Sequence, residues 1–254
     1  MTITLREPWD DLTFMTPLSE QRAGELVRFV AEGLHGTVLD IGCGWTELLL
    51  RVVAAAPAAR GVGIDTNEAF IKHGSELAEQ RGLLDRVTLI AGDGKTQAPQ
   101  RADAVICIGA SQVWGPPVAA NQPLDYVSAL AAIRGKVTPG ARVVYGEGVW
   151  SRPPTPQAAA PLSGRLDELV SLAGLAELAV AGGFMPVAAH EANIDEWDQF
   201  ESGYSARYAT WLAEHGPEHP DAGEVQARAA RQRAAYFNGY RGVLGMAYLA
   251  LLAV

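Results

Sequence analysis

Asp40, Gly42, Gly44, Asp65, Asp93 and Gly94 are the residues of this chain whose types and spacing suit the binding of a ligand. Asp40, Gly42 and Gly44 close the apolar run Val38-Leu39-Asp40-Ile41-Gly42-Cys43-Gly44. Glycines there let backbone and ligand approach closely, because no Cβ intervenes. A dinucleotide fingerprint would read G-x-G-x-x-G/A, with the pyrophosphate at a helix N-terminus. This chain reads Gly42-Cys43-Gly44-Trp45-Thr46-Glu47 instead. The third small residue is missing, and Glu47 would face the phosphates and repel them. Asp40 adds a second negative charge, so both signs favour a cationic ligand. Asp65 lies about 20 residues past the glycines, where an acid accepts ribose hydroxyls in either nucleotide reading. Asp93, in Gly92-Asp93-Gly94, suits the donor amine of adenine.

These residues need elements that end beside one another. Thr37 to Ile41, Gly61 to Ile64, Arg86 to Ala91, Ala102 to Ile108 and Arg142 to Gly146 read as short apolar strands. Between them, Thr46 to Ala56, Asn67 to Arg81 and Leu124 to Lys136 carry helical patterns, as does Pro17 to Gly36 before the first strand. Strands alternating with helices predict an α/β fold with a doubly wound parallel sheet. The second half is less regular. Ser151 to Pro161 reads as a loop, Leu162 to Gly183 as helical and Met185 to His190 as a strand. Two helices follow, about Ile194–Ala213 and Asp221–Tyr240, and Gly242 to Val254 reads as a closing strand.

Val38 to Gly44, Gly63-Ile64-Asp65, Gly92-Asp93-Gly94, Asp103 to Gly109 and Pro139 to Gly146 together resemble the class I methyltransferases, in the right order and spacing. The resemblance covers residues 20 to 150. It implies a seven-stranded, mostly parallel sheet whose last strand is antiparallel, with a helical insertion (191–240) before that strand. The whole chain, 1–254, is then a single domain with its cofactor-binding core in 20–150. The resemblance also implies S-adenosyl-L-methionine as methyl donor. By position it puts Asp40, Gly42 and Gly44 at the methionine portion, Asp65 at the ribose, Asp93 with Gly94 at the adenine, and Ile108 along the pocket.

The acceptor should lie above the ends of the fourth and fifth strands, near Ser111, Gln112, Trp114, Glu147 and Trp150. Glu147 has two readings: a base or ammonium-binding group, or a solvated strand-end carboxylate. His190 likewise reads as a base or as a structural residue at a strand end. Trp197, Phe200, Tyr204, Tyr208 and Trp211 recur at helical spacing, either as a core stripe or as a lid over the acceptor. Trp9, Phe14 and Met15 could close the pocket from the other side.

Composition bounds the rest. The net charge is −9 and Lys72, Lys95 and Lys136 are the only lysines, a poor match to the phosphates of nucleic acid. Cys43 and Cys107 cannot form a zinc site alone, so no metal is expected, and two free thiols suit the cytoplasm. Met1 to Asp11 does not read as a signal peptide, and the Gly242–Val254 run is shorter than the roughly 20 residues a membrane span needs. The expectation is a monomeric or homodimeric enzyme for a small-molecule acceptor. Methylation of protein or nucleic acid, a donor-binding protein without transfer activity, and a nicotinamide oxidoreductase are the competing readings. The loop charges speak against the last.

Overall fold

The computed structural model describes residues 3–115 and 122–254. Seven strands form one sheet: β1 (Thr37–Ile41), β2 (Arg60–Asp65), β3 (Val87–Ala91), β4 (Ala104–Ile108), β5 (Arg142–Trp150), β6 (Phe184–Glu191) and β7 (Leu244–Ala253). Their order is β3-β2-β1-β4-β5-β7-β6. β7 runs antiparallel to both β5 and β6, while the remaining pairs are parallel. The chain winds outward from β1 to β3, then restarts at β4 on the other side. That reversal leaves a crevice at the carboxyl ends of β1 and β4, the place where open α/β sheets bind ligands.

Helices cover both faces. They are α1 (Glu20–Ala31), α2 (Glu47–Ala55), α3 (Glu68–Gln80), α4 (Gly94–Gln97), α5 (Tyr126–Arg134), α6 (Pro156–Ala159), α7 (Leu172–Ala181), α8 (Ile194–His215) and α9 (Ala222–Ala235). Strand pleating divides the apolar residues between two cores. Val38, Ile106, Val144, Met246 and Tyr248 face one core, shared with α1 and α2. Leu39, Ile41, Val105, Cys107, Val143 and Tyr145 face the other, shared with α5 and α7. No helix among the described residues is long and apolar enough to cross a membrane.

The structure departs from the sequence expectations where the chain is least periodic. β5 continues past Gly146 to Trp150, because β7 pairs with it over that whole length. Within Leu162–Gly183 only Leu172–Ala181 is helical. Gly164 takes φ +77°, and the Val170 carbonyl accepts the Trp150 N–H, so the backbone before Ser171 is committed elsewhere. The expected loop Ser151–Pro161 holds the short α6, capped by Thr155. The last helix gives way to a π turn at Tyr236–Tyr240.

Candidate functional site

A cavity of about 820 Å3 occupies the crevice. Its volume lies within the roughly 300–1,000 Å3 usual for small-molecule sites. The ends of three neighbouring strands each bring a carboxylate to its wall: Asp40 from β1, Asp65 from β2 and Asp93 after β3. Gly42, Gly44, Gly94 and Ile108 line it as well.

The glycine loop has little freedom. Gly42 and Gly44 lie at φ +67° and +51°, and Thr46 follows at +66°. The Gly42 and Cys43 N–H groups both donate to the Ile64 carbonyl, at 2.9 and 3.1 Å. Asp65 then fixes the loop from β2. Its Oδ2 accepts the Gly44 N–H and its Oδ1 the Asn67 N–H, each at 2.9 Å. Asp93 accepts the Lys95 N–H at 2.8 Å and so caps α4. Asp40 is only 4% exposed. Burial, and then the charge of Asp65, push its carboxyl up to about 8.

Glu47 corrects an expectation. It lines the cavity, but its carboxylate is held by Arg51 at 2.6 Å and Arg81 at 2.7 Å. Two guanidiniums offset its charge, so Glu47 cannot serve as the repulsive group that the sign argument made of it. Asp65 and Asp93 carry the negative character of the wall, with Asp40 joining them once its carboxyl ionises at about pH 8.

Known proteins resemble the chain in sequence and in fold. Residues 38–130 match the model of a family described as a methyltransferase domain. An uncharacterised Escherichia coli (strain K12) protein, YjhP, is 25% identical over 240 residues, 93% of this chain and 92% of that one. A methyltransferase from Geobacter sulfurreducens, solved with S-adenosyl-L-homocysteine, superposes with a TM-score of 0.81 at 25% identity, covering 97% of this chain and 96% of that chain. Trans-aconitate 2-methyltransferase of Methylobacterium radiotolerans is 27% identical over 118 residues, 46% of this chain and 40% of that one. The domain match and the likeness to a methyltransferase solved with S-adenosyl-L-homocysteine support a class I, S-adenosylmethionine-dependent methyltransferase.

Of the residues picked for the acceptor of this methyltransferase, Gln112 and Trp197 line the cavity. Ser111, Trp114, Trp150, Tyr204, Glu147 and His190 do not. Pleating explains Glu147. It alternates with Val144 and shares its side of β5 with Val143 and Tyr145, facing the α5 core, whereas Ile106, Ile108 and Met246 face the cavity. Trp150 is buried in β5 against Leu244 of β7. His190 pairs with Tyr248 on β6, the edge strand farthest from the crevice. The aromatic stripe of α8 splits along its length. Trp197 and Phe200 reach the cavity, while Trp211 and Tyr208 pack with Ile3, Leu5 and Val225. A 22-residue helix is about 33 Å long, too long for one face to serve one small cavity.

Glu147 has a structural task in the methyltransferase. Its Oε2 accepts the Ser111 N–H at 3.1 Å and its Oε1 the Gly148 N–H at 2.9 Å. Ser111 Oγ lies 2.6 Å from Tyr145 Oη. Burial raises the Glu147 carboxyl above its ordinary value, against these hydrogen bonds. The pair of bonds holds the turn whose Gly109, Ala110, Gln112 and Val113 line the cavity. Glu147→Gln, which keeps an acceptor, is expected to change stability by about 1 kcal/mol or less, and Glu147→Ala to cost about 1–3 kcal/mol by stranding the buried Ser111 N–H. Thermal melts of both variants check this; equal melting temperatures would remove Glu147 from the support of the turn.

A strap, residues 14–18, lines the cavity beside the glycine loop, with Met15 Sδ 3.5 Å from where a Gly44 Cβ would stand. Phe14 and Met15 were expected there; Thr16, Pro17 and Leu18 carried no signal. Trp45 Nε1 donates to the Thr13 carbonyl at 2.8 Å. Tyr248 Oη donates to the Pro17 carbonyl and lies 2.9 Å from Thr16 Oγ1. Glu196 ties the strap to the start of α8, accepting the Ser19 N–H and both Arg22 Nε and Nη2. Burial pushes the Glu196 carboxyl up, but Arg22, Ser19 and Asn193 together hold it at about 2. Trp9 stands behind the wall, edge-on to Trp45 and Phe70, which do line it, and stacked on His73.

Proposed function

We propose that this methyltransferase carries the methyl group of S-adenosylmethionine to a small-molecule acceptor held between the strap and the start of α8. One observation supports the reading above others: three carboxylates and a glycine loop stand at successive strand ends around a single cavity, under an apolar roof. The donor supplies an electrophilic methyl group on a sulfonium centre. Asp40, Gly42 and Gly44 would hold its amino-acid end, Asp65 its ribose, and Asp93, Gly94 and Ile108 its adenine. The carboxylates suit the ammonium, the hydroxyls and the exocyclic amine, which are all donors or cations. Gly44 has open space beside it except for Met15, and an added Cβ at Gly109 would meet nothing within 4 Å, so backbone can approach a ligand at both places.

Phe14, Leu18, Trp197, Phe200 and Met246 would wall the acceptor and exclude water. Much of the acceleration in such a displacement is positioning of the nucleophile. The roof argues for a small acceptor, since a protein or nucleic-acid chain needs an open groove. The related trans-aconitate 2-methyltransferase has, by its name, a small molecule as acceptor. The chain works in this reading as one domain, with residues 191–240 as its partial cover, and the free Cys43 and Cys107 favour a cytoplasmic place.

Titration calorimetry with S-adenosylmethionine, S-adenosylhomocysteine and NAD(H) tests the donor site. Binding of the first two and not the third is expected, with Asp65→Ala and Asp93→Ala each weakening it roughly tenfold or more. Unchanged affinity in both variants would place the donor elsewhere. Incubating cell extract with donor labelled on its methyl group tests the acceptor. Label is expected in the small-molecule filtrate; label in the protein or nucleic-acid fraction would overturn that part.

A further inference from the structure

The acceptor end of the cavity has a charge character that narrows what can bind there, and this rests on the donor site proposed above. Among the described residues that line the cavity there is no lysine, arginine or histidine. Residues 116–121, Pro-Pro-Val-Ala-Ala-Asn, bring no ionisable side chain by sequence. The cations behind the wall are engaged by carboxylates. Arg22 is paired with Glu196 at 3.0 Å, Arg81 with Glu47 at 2.7 Å, and Arg51 with Glu47 and Glu20. Lys95, beside Asp93, is exposed and outside the lining. The ionisable groups that remain on the wall are acids and the Cys43 thiol, which burial pushes up and keeps protonated.

We infer that the methyl acceptor is a lipophilic molecule without an anionic group, an amine or a neutral nucleophile. An anion entering this end would lose its hydration and meet Phe14, Leu18, Trp197, Phe200 and Met246, with only the neutral Thr16, Gln112 and unpartnered Trp197 Nε1–H as polar groups and no cation among the described lining. An unpaired buried charge is strongly disfavoured. An amine loses less, because the aromatic rings of Trp197 and Phe200 attract a cation and the wall carboxylates lie in the same cavity. A neutral hydrocarbon body loses nothing and gains apolar contact. In the transfer itself, the lone pair of the nucleophile forms the new bond to carbon while the carbon–sulfur pair stays with sulfur. An amine that is protonated in solution gives its proton to bulk water before the site closes over it, and any proton left on the methylated product goes to bulk water on release.

Three probes with one skeleton test the inference: 4-phenylbutylamine, 4-phenylbutan-1-ol and 4-phenylbutyrate. Binding of S-adenosylhomocysteine is measured first by calorimetry, so that failure of the donor site is seen separately. Each probe is then titrated into the loaded protein and followed by tryptophan fluorescence and saturation-transfer NMR. The amine and the alcohol are expected to bind, and the carboxylate roughly tenfold or more weakly. Phe200→Arg is expected to raise carboxylate affinity and lower that of the amine. With the donor product bound, carboxylate binding equal to or tighter than the amine's would overturn the inference, and so would failure of both amine and alcohol to bind.

Discussion

Replacing Asp40 with Asn is expected to stabilise the ligand-free methyltransferase at pH 8 and above while weakening its hold on S-adenosylhomocysteine. The Asp40 carboxyl is 4% exposed, and burial followed by the Asp65 charge raises it to about 8. In the unfolded chain an aspartate titrates at about 3.9. Between about pH 4 and pH 8 the folded protein therefore keeps a proton that the unfolded chain has lost. Stability contributed by the neutral carboxyl is complete at low pH and falls as pH rises through that window. Asn cannot ionise, so the variant should lose this slope. Ligand binding has the opposite sign. An ammonium or sulfonium beside Asp40 favours the carboxylate, so binding below about pH 8 should release a proton and tighten as pH rises. Asn removes that response and costs about 1.5–3 kcal/mol, the scale of a hydrogen bond to a charged group, or roughly 10–100-fold in affinity. Melting curves across pH give the first effect; calorimetry in two buffers of different ionisation enthalpy gives the second. Wild-type affinity that does not change with pH below 8 would place the cationic end of the ligand away from Asp40.

Gly42→Ala should be the most damaging single methyl in the cavity wall. Gly42 sits at φ +67°, and a Cβ there would come within 2.5 Å of the Ala110 Cβ. A left-handed conformation costs an L-residue roughly 1–2 kcal/mol, and overpacking adds about 1–3 kcal/mol. Neither neighbour can yield cheaply. Gly42 N–H is bonded to Ile64, and the turn after Ala110 is anchored through Ser111 to Glu147. The variant should melt markedly lower and bind S-adenosylhomocysteine poorly even where it folds. Gly33→Ala is the matched control, with φ +70° and open space around the added Cβ. It should show the conformational cost alone and leave binding unchanged. Equal losses in the two variants would mean that the contact with Ala110 does not matter.

The donor side was legible in the sequence because its determinants are local. An apolar run, a strand-end acid and a following glycine lie within a few residues of one another, and parallel strands bring such ends together in chain order. Asp40, Asp65 and Asp93 could be named for that reason. The charge of Glu47 was legible too, but its partner Arg81 is 34 residues away, so only the fold revealed that the charge is spoken for.

The acceptor side was legible only in part. Met246 and Ile108 meet at the cavity because β7 enters antiparallel beside β5, a pairing set by register between segments nearly 100 residues apart. Glu147 was sought at a strand end, but β5 runs on to Trp150 and pleating turns Glu147 to the opposite core. The strap 14–18 has no periodicity to betray it; its place follows from bonds to Tyr248, Trp45 and Glu196. Thus the sequence by itself determined the class of fold, the donor and the acids that line the cavity, through short-range pattern. Which side chains close the other end of the cavity, and that its wall carries no free cation among the described residues, was decided by strand register, pleat and distant ion pairs, which exist only once the chain has closed on itself.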